Sequence, residues 1–249
     1  MLSNAVRSAM TKLLVPIILV ALGANGRANA EEHLDLVVAI DLTQSVDVTG
    51  PDGSSEFQKN IDGVSRVLAQ VPAGTRVTIV GITDHSFSQP YILMSARVGD
   101  DPGYFGERLS AARNQLVRAW KAKSTDIEPG FRHTDILGSL RLAGQIFAQQ
   151  RDPVRRTLVI FSDMRQNTPE MDLESPKTVA PYQSLAKKSG VLTVLKDVQV
   201  YVLGADGAGR GDDYWRSLER FWRAYFCESG TDLQTYSNLR TPQWFASGE

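Results

Sequence analysis

A single cysteine, Cys227, stands in a chain of 249 residues, so no disulfide can form within the chain and the fold must rest on its core. A lone cysteine is ordinarily a small buried apolar side chain, and Cys227 is expected to be one. Histidine is nearly as scarce. His33, His85 and His133 are scattered, and none has the partner three or four residues away that zinc ligands on a helix require. An excess of either charge is missing too: 27 basic against 28 acidic residues give a formal net charge of −1, which offers no global electrostatic reason to bind nucleic acid. There is no Gly-rich phosphate loop and no Ser-His-Asp set. Internal repeats, coiled-coil register and low-complexity tracts are also lacking. No catalytic constellation is present, and the chain is read as a non-enzyme.

Long apolar runs are missing except near the amino terminus. Arg7 and Lys12 precede the apolar stretch Leu13 to Leu22, and Ala28-Asn29-Ala30 follows it. That is a basic region, a hydrophobic region and a small-x-small cleavage site in the order of an export signal, so residues 1–30 are expected to be a signal peptide cut after Ala30. The apolar core is short for a bilayer span and no second such stretch follows, which predicts no transmembrane segment in the mature chain. No cysteine near the cleavage site offers an attachment point for a lipid. Loss of the leader takes the basic residues from 27 to 24 against 28 acidic ones, a formal charge of −4. Residues 31–249 suit one α/β domain, periplasmic or secreted.

Within that domain strand-like and helix-like segments alternate, the pattern of a doubly wound, mostly parallel sheet with helices on both faces. Strands are predicted at Leu34 to Ile40, Arg76 to Thr83, Tyr91 to Val98, Thr157 to Phe161 and Val198 to Leu203, with a short one near Leu233 to Tyr236. Tyr91 to Val98 would pair as an antiparallel edge hairpin with the strand before it. Helical spacing of apolar residues marks Glu56 to Val71, Glu107 to Lys123, Asp135 to Gln150, a short stretch around Tyr182 to Ser189, and the aromatic Asp212 to Cys227. Arg165 to Pro181 is polar, aperiodic and proline-bearing, and reads as a long loop near the candidate site.

Asp41-Leu42-Thr43-Gln44-Ser45 follows directly on the first apolar strand, Thr134 lies just before a helix, and Asp163 sits in Phe161-Ser162-Asp163-Met164 after the fourth strand. In an open parallel sheet the carboxyl ends of the strands share one edge, where such folds bind ligands, so the three pieces should converge. Hard oxygen donors gathered this way suit Mg²⁺. Each piece also has a plain structural reading, since Asp, Ser and Thr cap helices and close turns without a metal.

Together these residues resemble the metal-ion-dependent adhesion site of the von Willebrand factor type A (vWA) domain family, over a span from about Leu34 to Asp206. The resemblance implies a Rossmann-like fold and a site for Mg²⁺, with Mn²⁺ as a substitute. Ser45 and Thr43 would contact the ion through hydroxyls, Thr134 directly or through water, and Asp41 and Asp163 largely through bridging waters. With two carboxylates in the set the ion stays electrophilic and can accept an Asp or Glu from a protein partner. Two departures stand out: Thr43 where the family more often has Ser, and Met164 where a Gly commonly follows the aspartate.

Asp84 and Asp206, at the ends of the second and fifth strands, are outer candidates for orienting ligands; each equally starts a turn. His133 neighbours Thr134. Arg210-Gly211-Asp212 matches a tripeptide that some integrins recognise, but Asp212 reads better as a helix cap. The aromatic stripe of the last helix could anchor a partner and reads better as a core face. Three functions compete: a metal-dependent binding module, a metal-dependent phosphatase-like hydrolase, and a metal-free scaffold. The hydrolase reading is weakened by Thr43, which stands where the haloacid dehalogenase-like pattern needs a second Asp.

Overall fold

A computed structural model describes residues 33–50, 53–149, 155–174, 190–206 and 208–241. The segments expected to be the signal peptide and the short helix around Tyr182 to Ser189 lie outside the described residues. Among the described residues there are eight strands, β1 (Leu34–Asp41), β2 (Arg76–Ile82), β3 (Tyr91–Arg97), β4 (Arg155–Phe161), β5 (Asn167–Thr168), β6 (Met171–Asp172), β7 (Val198–Leu203) and β8 (Asp232–Ser237). The α-helices among the described residues are α1 (Glu56–Leu68), α2 (Glu107–Ser124), α3 (Ile136–Ala148) and α4 (Asp212–Glu228). Among the described residues the main sheet has six strands in the order β3-β2-β1-β4-β7-β8, and all its pairings are parallel except β2 with β3. The expected α/β class and the antiparallel edge strand are therefore both found. β5 and β6 form a two-stranded hairpin inside the segment read as a loop.

β1 has all eight residues buried, which is why its stretch from Leu36 to Ile40 runs apolar without alternation. Strand periodicity still sorts its side chains between two cores. Val37 and Ala39 join Leu158, Ile160, Val200 and Val202 under α3 and α4. Leu36, Val38 and Ile40 join Ile79, Val159 and Phe161 under α1 and Trp120 of α2. On the α1 face the approach is close: a Cβ placed on Gly63 would lie 2.3 Å from Cε1 of Phe161. On the other face Tyr214, Leu218, Phe221, Trp222, Tyr225 and Phe226 of α4 are all buried, so the aromatic stripe is core.

Two expectations are corrected. Cys227 is exposed, because it follows the buried pair Tyr225 and Phe226 on the far side of the helix turn. Asp212 is not the cap of α4. Gly211 takes that position, and Asp212 and Asp213 fall in the first turn, where they still oppose the positive end of the helix dipole.

Candidate functional site

Parallel pairing of β1 with both β2 and β4 brings the carboxyl ends of all three strands to one edge. Ile40 stands opposite Phe161, so the next residues along, Asp41 and Ser162, are neighbours across the ladder. After Asp41 the chain makes a 3₁₀ turn, Gln44–Val46, closed by Val46 N–H to Thr43 O at 3.2 Å. The turn folds Ser45 back beside Thr43. The segment before α3 is fastened to this loop by its backbone: Gln44 N–H reaches Phe131 O at 2.8 Å, and the Gly130 and Phe131 N–H groups reach Leu42 O at 3.0 and 3.2 Å. Thr134 is then pinned to β5 by reciprocal bonds with Asn167 at 3.0 and 2.9 Å. Asp135, the cap of α3, accepts from Gly138 N–H at 2.8 Å.

The result is a cluster of oxygens around one hydroxyl. Thr43 Oγ1 lies 2.7 Å from Asp41 Oδ1, 2.9 Å from Ser45 Oγ and 2.9 Å from Thr134 Oγ1. Asp41 also accepts Thr43 N–H at 3.0 Å on the same oxygen and Ser162 O–H at 2.6 Å on the other. Asp41, Thr43 and Thr134 are buried, and Ser45 is the half-open member. Burial pushes the Asp41 carboxyl up to about 7, with the nearby charge of Asp163 adding to the rise and the bonds from Ser162 and Thr43 opposing it. Four of the five sequence-predicted donors thus meet through hydrogen bonds.

Asp163 is engaged differently. Its Oδ1 accepts Arg165 N–H at 2.9 Å, and its Oδ2 accepts the Arg165 guanidinium through Nε at 2.9 Å and a terminal nitrogen at 2.8 Å. Arg165 is only 8% exposed. It also donates to Ser45 O at 3.2 Å and comes within 3.7 Å of Glu174. Burial alone would lower its pKa; the charge and hydrogen bond of Asp163, then the charge of Glu174, outweigh that and raise it, so it is cationic. Met164, between the two, has a positive φ of 65°. The left-handed turn that glycine would provide is thus kept with a methionine, whose side chain is buried in the core and whose carbonyl accepts Trp222 Nε1–H at 2.8 Å.

Sequence reasoning missed Ser162 and Arg165. Ser162 lay in the quoted tetrapeptide without a role, because the β1–β4 register that aims it at Asp41 is a tertiary fact. Arg165 carried a signal, a cation two residues after a candidate ligand, where Asx-turn geometry returns the chain to the aspartate. Of the outer candidates, Asp206 lines a cleft of about 620 Å³ together with Ser45, Asp163, Arg165 and Arg240, and its N–H meets Asp163 O at 3.2 Å. Asp84 lines a separate cleft of about 470 Å³ with Tyr91, Asp126 and Glu128. His133 is exposed and faces Asn167 Oδ1 at 3.2 Å. Among the described residues no three His, Cys, Asp or Glu side chains gather as a metal cluster; this set is mostly hydroxyls.

The strand order, the edge occupied by Asp41 and Asp163, and the helices on both faces make this a doubly wound, mostly parallel α/β fold. No protein-family model matches the chain, and no curated protein sequence does. Solved structures are similar in fold. The SpRpn10 VWA domain shares 12% identity, covering 85% of this chain and 90% of its own, with a TM-score of 0.44. The conserved hypothetical protein BatB from Bacteroides thetaiotaomicron shares 15%, over 82% and 92% of the two chains, with a TM-score of 0.44. Manganese-loaded TRAP protein of Plasmodium vivax shares 14%, over 75% and 62%, with a TM-score of 0.42. Likenesses this distant concern the fold and leave the chemistry of the site to its own residues.

Proposed function

We propose that the chain is an exported binding module that holds a protein partner through a divalent cation, Mg²⁺ or Mn²⁺, at Asp41, Thr43, Ser45, Thr134 and Asp163. One observation carries the reading: the oxygens of Asp41, Ser45 and Thr134 all lie 2.7 to 2.9 Å from Thr43 Oγ1. Oxygens at 2.0–2.1 Å from an octahedral Mg²⁺ are about 2.9 Å from their neighbours, so this spacing suits a hard cation with little rearrangement. The ion would supply positive charge with room for an Asp or Glu from the partner. This chain's residues would hold it with buried hydroxyls, while Ser162 and Thr43 fix the carboxylate of Asp41. Among the described residues no helix is long and apolar enough to cross a membrane. Export rests on the leader pattern of residues 1–30, with the periplasm or the exterior as destination.

Mn²⁺ titration followed by calorimetry and by the thermal midpoint tests the cation. A ligand at 100 times its Kd, bound only by the folded state, adds about 2.7 kcal/mol and raises the midpoint. Loss of that rise in Ser45→Ala and Thr134→Ala is expected; no rise in the parent chain at millimolar Mn²⁺ refutes the proposal. The guanidinium on Asp163 favours a second reading, a metal-free scaffold in which Arg165 permanently supplies the positive charge.

A further inference from the structure

We infer that Arg165 sets the affinity of this site for a divalent cation, as an internal cation that must release Asp163 before an ion can use both carboxylates. The inference rests on the cation-binding reading above. Among the described residues the donors on the Asp163 carboxylate all come from Arg165: its backbone N–H on one oxygen, two guanidinium nitrogens on the other. Three of the roughly four lone-pair sites of the carboxylate are so engaged and its charge is already matched by the guanidinium, and the same guanidinium reaches Ser45 O at 3.2 Å, at the half-open side of the site. A divalent ion beside it would also meet an unscreened like charge.

The alternative position for the guanidinium is already built. Glu174 lies 3.7 Å from Arg165, and the cleft of about 620 Å³ that Arg165 lines gives the side chain room to turn. Arg210 competes for that carboxylate from 3.8 Å, so the released arrangement is available but disfavoured. When the competent state is only partly populated, apparent affinity falls by that fraction. A released population of about 1–10% therefore predicts Mn²⁺ binding about 10- to 100-fold tighter once the guanidinium is removed.

The test compares Mn²⁺ binding, read as loss of the free-ion electron paramagnetic resonance signal, in the full chain and three variants. R165Q should bind about 10- to 100-fold tighter than the parent. R165K, which keeps the charge and loses the two-nitrogen grip, should fall between them. R240Q removes a cation that lines the same cleft, pairs with Glu56 and, among the described residues, has no bond to Asp163 or Glu174, and should stay within about twofold of the parent. Equal affinity in the parent and R165Q overturns the role of Arg165 while leaving the cation site standing. Binding in neither overturns the site and the inference together. If R240Q tightens as much as R165Q, bulk charge is the cause and the inference fails. Should R165Q not fold, R165K decides: affinity equal to the parent overturns the proposal.

Discussion

Asp41 is held where its charge is costly, so replacing it with a neutral isostere should stabilise the cation-free protein. Its carboxyl, ordinarily near 3.8, is pushed up to about 7, by burial first and the charge of Asp163 second. At about 1.36 kcal/mol per pH unit, that gap means ionised Asp41 disfavours the folded state by about 4 kcal/mol at most. The sign follows from proton uptake: between the unfolded and folded values the folded state holds more protons, so stability is greatest below about 3.8 and declines as pH rises through about 7. Most of the part above pH 5, about 2–3 kcal/mol, should be lost by pH 8.

Asp41→Asn removes the charge and keeps an acceptor for the Thr43 N–H and O–H, now at 3.0 and 2.7 Å. The new amide N–H must turn to Ser162 Oγ, which loses its own acceptor, at a cost of about 1 kcal/mol. D41N should therefore be about 1–3 kcal/mol more stable than the parent at pH 8, with a pH profile flatter by about 2–3 kcal/mol between pH 5 and 8. Asp35 and Asp135 are also raised by burial and slope the same way, but they are present in both proteins and cancel in the difference. Equilibrium urea unfolding in chelator across that range measures it. Parallel pH profiles, or a D41N protein less stable than the parent at pH 8, refute the reasoning.

Three further substitutions probe how the scaffold holds the site. Met164→Gly should relieve about 1 kcal/mol of left-handed backbone strain and lose about 2–5 kcal/mol of buried side chain, a net destabilisation visible in urea melts. Trp222→Phe deletes the indole N–H that meets Met164 O at 2.8 Å, and should cost about 1–3 kcal/mol, measured by the same unfolding experiment. Gly63→Ala gains about 1 kcal/mol of helix propensity yet puts a methyl 2.3 Å from Phe161; calorimetry should show a lower melting midpoint, because overpacking outweighs propensity in a filled core.

The fold was legible because its signals are local. The continuous apolar run Leu36 to Ile40 within β1 announces burial on both faces, and the period of α1, α3 and α4 marks the stripe each presents. That Asp41, Thr43, Ser45 and Thr134 share one edge also followed from topology, since parallel strands put like ends together. Contacts that depend on register did not. Nothing in the chain says that Ile40 pairs with Phe161, and without that pairing Ser162 has no reason to face Asp41. The exposure of Cys227 was misread because residue type was used in place of helix phase: 225 and 226 face the core and 227 turns away.

Charge counting at the site leads to one more prediction, with opposite signs for metal and partner. Asp41 and Asp163 with Arg165 leave one net negative charge when both carboxyls are ionised. A divalent cation would turn that into one net positive charge, an attraction for a carboxylate from outside. In R165Q the same ion would only neutralise two carboxylates. The guanidinium that hinders the ion therefore favours the acidic ligand once the ion is in place, so R165Q should bind Mn²⁺ more tightly and gain less from a carboxylate. Acetate serves as the probe: at saturating concentration it should tighten Mn²⁺ binding to the parent chain more than to R165Q, by a factor of about 2–5, the 0.5–1 kcal/mol of a partly exposed charge pair. Equal enhancement in both proteins would mean that Arg165 has left the site altogether when the ion binds, and its charge would then play no part in holding the partner.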